Sequence, residues 1–324
     1  MTQINKVLYQ DTLGDPLQVV YLQEEQINTK PMKDNVVVKM KYGTINLPNM
    51  AGIDGSIGLL SPKVLPSRVG QGGVGTVVYA GPEAKVKAGD MVIPNERGTH
   101  ALYLETNNVV KLPDNIDPLG VCQLVNAMTV YGLFDEMAAK PGETVIITAA
   151  NSCCSRMAIK YAKHKHLHVI AVVRRQCVID IVKKDGAEVV ISTDRQDLNT
   201  ELSNIGGANH ALDSVVGSVG ETIIKHLHQN GKYIAYGFLS GEQFNPDEAI
   251  IKSKNLVNIF YALFNDFKKK GPVAVHDSGF ELLSNGTFHV ETEKTFALED
   301  FKAAYQQQIK PVSGRQGMIV LKME

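Results

Sequence analysis

A chain of 324 residues with 44% hydrophobic and 21% charged residues has ordinary globular composition and the length for two domains. Its formal net charge of −1 provides no global field favouring nucleic acid or an anionic membrane, so the expected partner is a small, locally recognised molecule. Four cysteines, Cys122, Cys153, Cys154 and Cys177, form no C-x-x-C pair and are too few for a disulfide framework, so they read as reduced thiols.

Met1-Thr2-Gln3-Ile4-Asn5-Lys6 runs into the strand-like Val7-Leu8-Tyr9 without a leader pattern. No apolar stretch approaches the roughly 20 residues of a membrane span, so a cytoplasmic location is expected. Short β-like runs divided by turns follow, at Asn35 to Met40, Gly75 to Ala80 and Asp90 to Pro94, and predict a compact antiparallel β domain over residues 1–118.

The pattern changes near residue 119. From Gly142 onward, apolar strands alternate with helical segments: Thr144 to Ile147, a helix from about Cys154 to Lys165, His168 to Val173, a helix over Val178 to Lys184, then Glu188 to Ile191. Further strands are expected at His210 to Val216, Lys232 to Tyr236 and Leu256 to Phe260. This is the pattern of a parallel sheet covered on both faces, a doubly wound dinucleotide-type domain over 119–266. Beyond about Phe267 the pattern stops, and residues 267–324, ending in the strand-like Gly317 to Leu321, are expected to return to the first domain.

The turn after Ile147 carries Asn151-Ser152-Cys153-Cys154-Ser155. In a strand-turn-helix phosphate site, glycines make the turn, admit the pyrophosphate and let the helix sit close to the strand, while the helix N-terminus supplies N–H groups. Cysteine and serine are small replacements, and Ser152 and Ser155 could donate to a phosphate or cap the helix. About 21 residues beyond Cys153, at the end of the second strand, Arg174-Arg175 stands where the ribose is read. Arginine there favours NADPH by pairing with a 2′-phosphate, the alternative being a solvated charge pair after a strand. Cys153 and Cys154 read as small packing residues rather than a reactive or disulfide-bonded pair. His164, His166 and His168 lack Cys or carboxylate partners at ligand spacing and read as a solvated helix end, not a metal site.

Eight segments in order carry a resemblance that spans nearly the whole chain. They are Gly70-Gln71-Gly72-Gly73-Val74-Gly75, Val86 to Val92, Val125 to Tyr131, Lys140 to Val145, Ala149-Ala150-Asn151-Ser152, Val172-Val173-Arg174, Gly186 to Ile191 and Gly231 to Gly237. With them the chain resembles the medium-chain dehydrogenase/reductase superfamily, in the zinc-free branch of quinone oxidoreductases and 2-enoyl thioester reductases. The resemblance implies an α/β fold in which a Rossmann domain is inserted in a GroES-like β domain, NADPH held in the cleft between them, and a homodimer. It also implies that Thr129, Asn151, Ser152, Cys153, Ser155, Arg174 and Arg175 hold the cofactor, and that Asn46, Asn126, Tyr236, Gly237 and Phe260 line the nicotinamide and substrate pocket, with Phe260 and Tyr261 serving equally well in a core or dimer interface. Gly70-Gln71-Gly72 stands where zinc alcohol dehydrogenases have Gly-His-Glu, and a cysteine near Asn46 is absent, so no zinc is expected.

Three positions depart from the resemblance. Cys153 and Ser155 replace glycines, and Ile57 stands where enoyl thioester reductases have a catalytic tyrosine. Isoleucine donates no proton, so no catalytic acid is named; Tyr42, Asn46 and Asn126 are the nearby polar groups. The expected activity is metal-independent, NADPH-dependent reduction of an activated C=C bond or a quinone. The alternative is a degenerate relative with weak or no cofactor binding that acts as a binding or regulatory protein.

Overall fold

A computed structural model describes residues 2–284, 286–309 and 317–323. The chain divides into two units, Met1–Leu124 with Glu291–Glu324, and Val125–Val290. No helix among the described residues is long and apolar enough to cross a membrane.

The first unit opens with β1 (Thr2–Gln10), α1 (Pro16–Val19), β2 (Val20–Asn28) and β3 (Val36–Ile45). It continues through α2 (Leu47–Asp54), β4 (Ser67–Arg68), β5 (Gly73–Ala80), β6 (Met91–Pro94), β7 (Tyr103–Thr106) and β8 (Val109–Lys111). β3 is its spine: Val36, Val37 and Val38 are β-branched and wholly buried, as a strand covered on both faces requires. β5 runs antiparallel to β3 with two register shifts, and a Cβ on Gly73 or Gly75 would lie 2.4 Å from a β3 carbonyl oxygen. Glycine is needed there because the strands approach too closely for a side chain.

The second unit takes up α3 (Leu124–Met137), then alternates β9 (Thr144–Ile147), α4 (Cys153–His164), β10 (His168–Val173), α5 (Ile179–Asp185), β11 (Val189–Ser192), α6 (Leu198–Ile205) and β12 (Ala208–Asp213). It ends with α7 (Gly217–Lys225), β13 (Leu227–Ala235), α8 (Glu248–Ser253), β14 (Val257–Phe260), α9 (Leu263–Lys270) and α10 (Pro272–Ser284). The six strands form one parallel sheet in the order β11-β10-β9-β12-β13-β14. This is the doubly wound Rossmann order, whose direction reverses between β9 and β12. The unit runs on past Phe267 to Val290. Lys270 of α9 pairs with Asp135 of α3 at 2.7 Å, and Phe288 packs edge-on against Tyr161 of α4. These long-range contacts hold α9 and the segment after α10 in this unit, and strand periodicity gives no sign of them.

The chain re-enters the first unit through β15 (Thr292–Ala297), α11 (Phe301–Ile309) and β16 (Met318–Lys322). β16 pairs antiparallel with β3, Ile319 opposite Ile45, and completes a sheet in the order β15-β16-β3-β5-β6-β8 with β7 also on β3.

His100 lies wholly buried in this unit. Its Nε2 is 3.0 Å from the Thr44 carbonyl, which only accepts, so Nε2 carries the proton and donates. Nδ1 then accepts from the Tyr305 hydroxyl, 3.0 Å away, and the neutral ring is fully satisfied. Burial pushes its pKa down from 6.5 to about 4. The unfolded chain therefore binds the proton more readily, so stability is complete above pH 6.5 and declines as pH falls towards 4, by roughly 3 kcal/mol. Urea titrations across that range should show a steeper loss for the wild type than for His100→Gln; equal slopes would assign the loss to other groups.

Candidate dinucleotide site

The ends of β9 and β12 are joined by side chains. Thr148, just past β9, donates its hydroxyl to Asp213 Oδ1 at 2.6 Å and accepts from the Ser214 amide at 2.9 Å. Asp213 is wholly buried, and its carboxylate also accepts from the amides of Val215 and Val216 and from the Tyr233 hydroxyl. Three of these donors reach Oδ1 and the Tyr233 hydroxyl reaches Oδ2, so both oxygens of this buried carboxylate are engaged, which offsets its desolvation. Two non-glycine residues adopt positive φ beside it: Ala149 at +41° and Val216 at +56° with ψ −152°, a region otherwise left almost entirely to glycine.

Ser152 caps α4: its hydroxyl oxygen accepts from the Ser155 amide at 3.1 Å. Ser155 is wholly buried and its hydroxyl points inward, donating to the Thr148 carbonyl at 2.9 Å. One proton is then committed, so Ser155 Oγ accepts from Ser152 and from the Tyr236 hydroxyl, each at 2.8 Å. This corrects the expectation that Ser155 contacts the cofactor: its hydroxyl is saturated within the protein. The hydroxyl proton of Ser152 is likewise directed to Ser155, which leaves Ser152 as a cap. The serine is accommodated because its small side chain turns away from the helix start, where glycine would have had none. Tyr236 is held by the same bond, and burial raises its phenol above the ordinary range.

The start of α4 retains anion-binding character. Among the described residues the amide of Cys154 has no acceptor, no acidic side chain lies in the first turn, and Lys163 and His164 occupy the last turn. The dipole and this amide face the same end of the helix. Cys153 and Cys154 are half-buried and no disulfide joins them; burial pushes the Cys154 thiol up to about 12, so it stays protonated at neutral pH.

Arg174 and Arg175 follow β10, Arg174 exposed and Arg175 half-buried. The Thr193 amide donates to the Val173 carbonyl at 3.0 Å and the Asp194 amide to the Arg174 carbonyl at 3.2 Å, so the chain after β11 runs alongside. This brings a third arginine, the exposed Arg195, to the same strand ends, a residue that spacing alone does not single out. Asp194 is occupied locally: the Ser192 hydroxyl bonds its carboxylate at 2.6 Å and holds its pKa down, with Arg195 adding to the effect.

The remaining expected site residues separate into distinct settings. Asn126 and Thr129 lie half-buried on α3; the Thr129 hydroxyl donates to the Val125 carbonyl at 2.7 Å, while the Asn126 side chain has no hydrogen-bond partner among the described residues. Gly237 has a packing reason, since a Cβ there would lie 2.7 Å from the Ser214 carbonyl oxygen. Phe260 is 68% exposed on β14, the open edge of the sheet, so it is not a core residue. Its neighbour Tyr261 is buried and donates to Asp266 at 2.8 Å, close against Gly132 of α3.

Asn46 belongs to the first unit, where its side chain caps α2 by accepting from the Asn49 amide at 2.9 Å. The buried Asn49, not anticipated from sequence, accepts from the Gln71 amide at 2.7 Å and donates to the Gln71 carbonyl at 3.0 Å. Ile57 is 49% exposed at the start of a short 3-10 turn. Among the described residues no three His, Cys, Asp or Glu side chains come together as a metal site; His164 stacks on Tyr161 and His168 pairs with Glu188.

The fold and the strand-end features define a Rossmann-type α/β protein with a capped helix start at its switch point. Residues 155–273 match the zinc-binding dehydrogenase family. The mitochondrial enoyl-[acyl-carrier-protein] reductase of Mus musculus is 30% identical over 258 residues, 75% of this chain and 68% of the relative. That of Xenopus tropicalis is 27% identical over 95% of this chain and 93% of its own length. A solved Bacillus thuringiensis structure assigned as an NADPH:quinone reductase superposes with a TM-score of 0.86 at 26% identity, covering 99% of both chains. The chain belongs to the medium-chain dehydrogenase/reductase superfamily, in its quinone oxidoreductase and enoyl reductase branch, and is an oxidoreductase.

The hydrogen-bond cluster around Ser155 predicts the effect of restoring the glycine. Ser155→Gly should destabilise the protein by about 1–3 kcal/mol in urea unfolding, because Tyr236 and Ser152 lose a buried acceptor and α4 gains a glycine. A neutral or stabilising result would mean that the cluster contributes nothing.

Proposed function

We propose that the protein is an NADPH-dependent reductase of an activated C=C bond, in an enoyl thioester or enone, or of a quinone, and that it works without zinc. The observation that carries the cofactor choice is that the chain after β11, which bears Arg195, runs alongside Arg174 at the end of β10. Arginines at these strand ends suit a 2′-phosphate, for which an NADH site would have no use.

The residues present fit the rest of the dinucleotide. The start of α4, with the Cys154 amide and Asn151, would hold the pyrophosphate, while Asn126, Thr129 and Tyr236 would face the nicotinamide portion. Cys153 and Ser155 do not argue for a lost site, since Ser155 is folded inward and the helix start stays capped. When bound, the cofactor supplies a hydride for the substrate. The zinc-free reading is supported by the set of groups in the first unit, where the Asn49 carboxamide donates to that of Asn46 and bonds the backbone of Gln71.

The same reading includes a homodimer formed at β14. This strand ends the sheet with Val257 and Phe260 exposed, and such an edge invites pairing with a second copy. A reducing compartment, the cytoplasm in this reading, suits four cysteines that form no disulfide.

Calorimetric titration tests the cofactor choice. NADPH should bind more tightly than NADH, and Arg174→Ala or Arg195→Ala should each weaken NADPH about tenfold or more, as loss of a charge-assisted hydrogen bond does, while leaving NADH little changed. Binding of neither nucleotide would sink the proposal, as would absence of NADPH consumption with enals, enones, enoyl thioesters and quinones. For the dimer, Phe260→Lys should shift sedimentation from dimer to monomer; a wild-type monomer would rule this interface out.

A further inference from the structure

The Tyr236 side chain spans the switch point of the parallel sheet. Tyr236 follows β13, its amide donates to the Asp213 carbonyl at 2.8 Å, and its hydroxyl lies 2.8 Å from Ser155 Oγ in the first turn of α4. Helix α4 follows β9, and in the sheet β12 lies between β9 and β13. The ring therefore passes across the carboxyl end of β12, with its hydroxyl turned inward on a residue that is only half-buried.

Ser155 is the node that holds it. Its hydroxyl is bonded to the Thr148 carbonyl just past β9, to the Ser152 cap of α4 and to Tyr236, so three separate segments share one buried oxygen. A serine proton serves one acceptor and the Thr148 carbonyl takes it, so Tyr236 is the donor in its bond. Burial raises the phenol above its ordinary range, and the proton stays in place. The backbone beyond the ring is fixed as well: the Leu239 amide donates to the Ser214 carbonyl and the Ser240 amide to the Val215 carbonyl, each at 3.0 Å. Glu242 then accepts from the amide and the hydroxyl of Ser218 at the start of α7.

In a doubly wound sheet a dinucleotide lies across the switch point, with one nucleoside over each half. The half made of β9, β10 and β11 leads to Arg174 and Arg195, which suit the phosphorylated adenosine. The other nucleoside belongs over β12, β13 and β14, and Tyr236 stands at the end of β13. We propose that Tyr236 is a positioning residue: its ring, locked by Ser155, is the fixed floor against which the nicotinamide end of NADPH is held for hydride delivery. The proposal rests on the reductase reading above. It gives serine at 155 a functional reason, since a glycine there has no oxygen to hold the phenol. Placement of the hydride donor governs rate more than affinity, because the charged contacts of the adenosine half keep the cofactor bound while misorientation slows turnover.

The test compares wild type with Tyr236→Phe, Ser155→Ala and the double variant. Calorimetry with 2′,5′-ADP, which carries only the phosphorylated adenosine half, should give equal affinities throughout. NADPH should bind each variant within about threefold of wild type. The fluorescence lifetime of its bound nicotinamide should nevertheless shorten, because a ring free to move loses excitation without emitting. With trans-2-hexenal as substrate, kcat should fall about five- to tenfold in each single variant with KM little changed, and the double variant should be no slower than either, since one bond is lost in all three. A stabilising role alone would lower urea midpoints and leave lifetime and kcat at wild-type values; that result in a folded Tyr236→Phe would overturn the proposal. A double variant slowed by the product of the single effects would overturn it too, because the two groups would then act separately. If Tyr236→Phe does not fold, the lifetime and kcat of Ser155→Ala decide by the same criteria. In a protein that binds NADPH yet reduces no alkene or quinone, the lifetime comparison still decides whether Tyr236 holds the nicotinamide, so the reductase reading can fail separately. A wild type that binds no NADPH removes both.

Discussion

The buried carboxylate of Asp213 is the constraint on which the switch-point end of the second unit's sheet depends. It gathers the Thr148 hydroxyl, two amides of its own turn and the Tyr233 phenol, and so fixes the ends of β9, β12 and β13 against one another. Removing any one donor would leave a charged acceptor short of partners in a dry interior, so these bonds act together. The positions of the α4 start, of Tyr236 and of the strained Val216 all follow from this point.

The first unit solves a different problem. It must hold polar loops in place around β3 with few charges, and it does so with neutral groups that satisfy one another: His100 between Thr44 and Tyr305, and Asn49 between Asn46 and Gln71. Neutral networks avoid the desolvation cost of buried ions.

Much of this was legible from residue patterns. Apolar β-branched runs separated by helical segments announced the parallel sheet, and the distance from the turn to Arg174 matches the span from the end of β9 to the end of β10. What could not be read depends on partners far along the chain. The inward rotation of Ser155 is set by Tyr236, 81 residues away. Arg195 joins Arg174 only through the register of β10 and β11. Phe260 reads equally as a core or an interface aromatic until β14 proves to be the last strand, and Asn49 is an ordinary polar residue until its partners are in place. Helix α9, bonded to α3, and Phe288, packed on α4, extend the second unit through contacts that periodicity does not encode.

The turn at residues 148–152 contains no glycine, and Ala149 holds a left-handed conformation there. A glycine-rich loop has many accessible shapes in the free protein and must give them up when a phosphate arrives. Here that freedom is already forgone during folding, where alanine and serine lose less backbone entropy than glycine would. A phosphate bound at this turn would therefore meet a surface already set, with little further ordering of the chain.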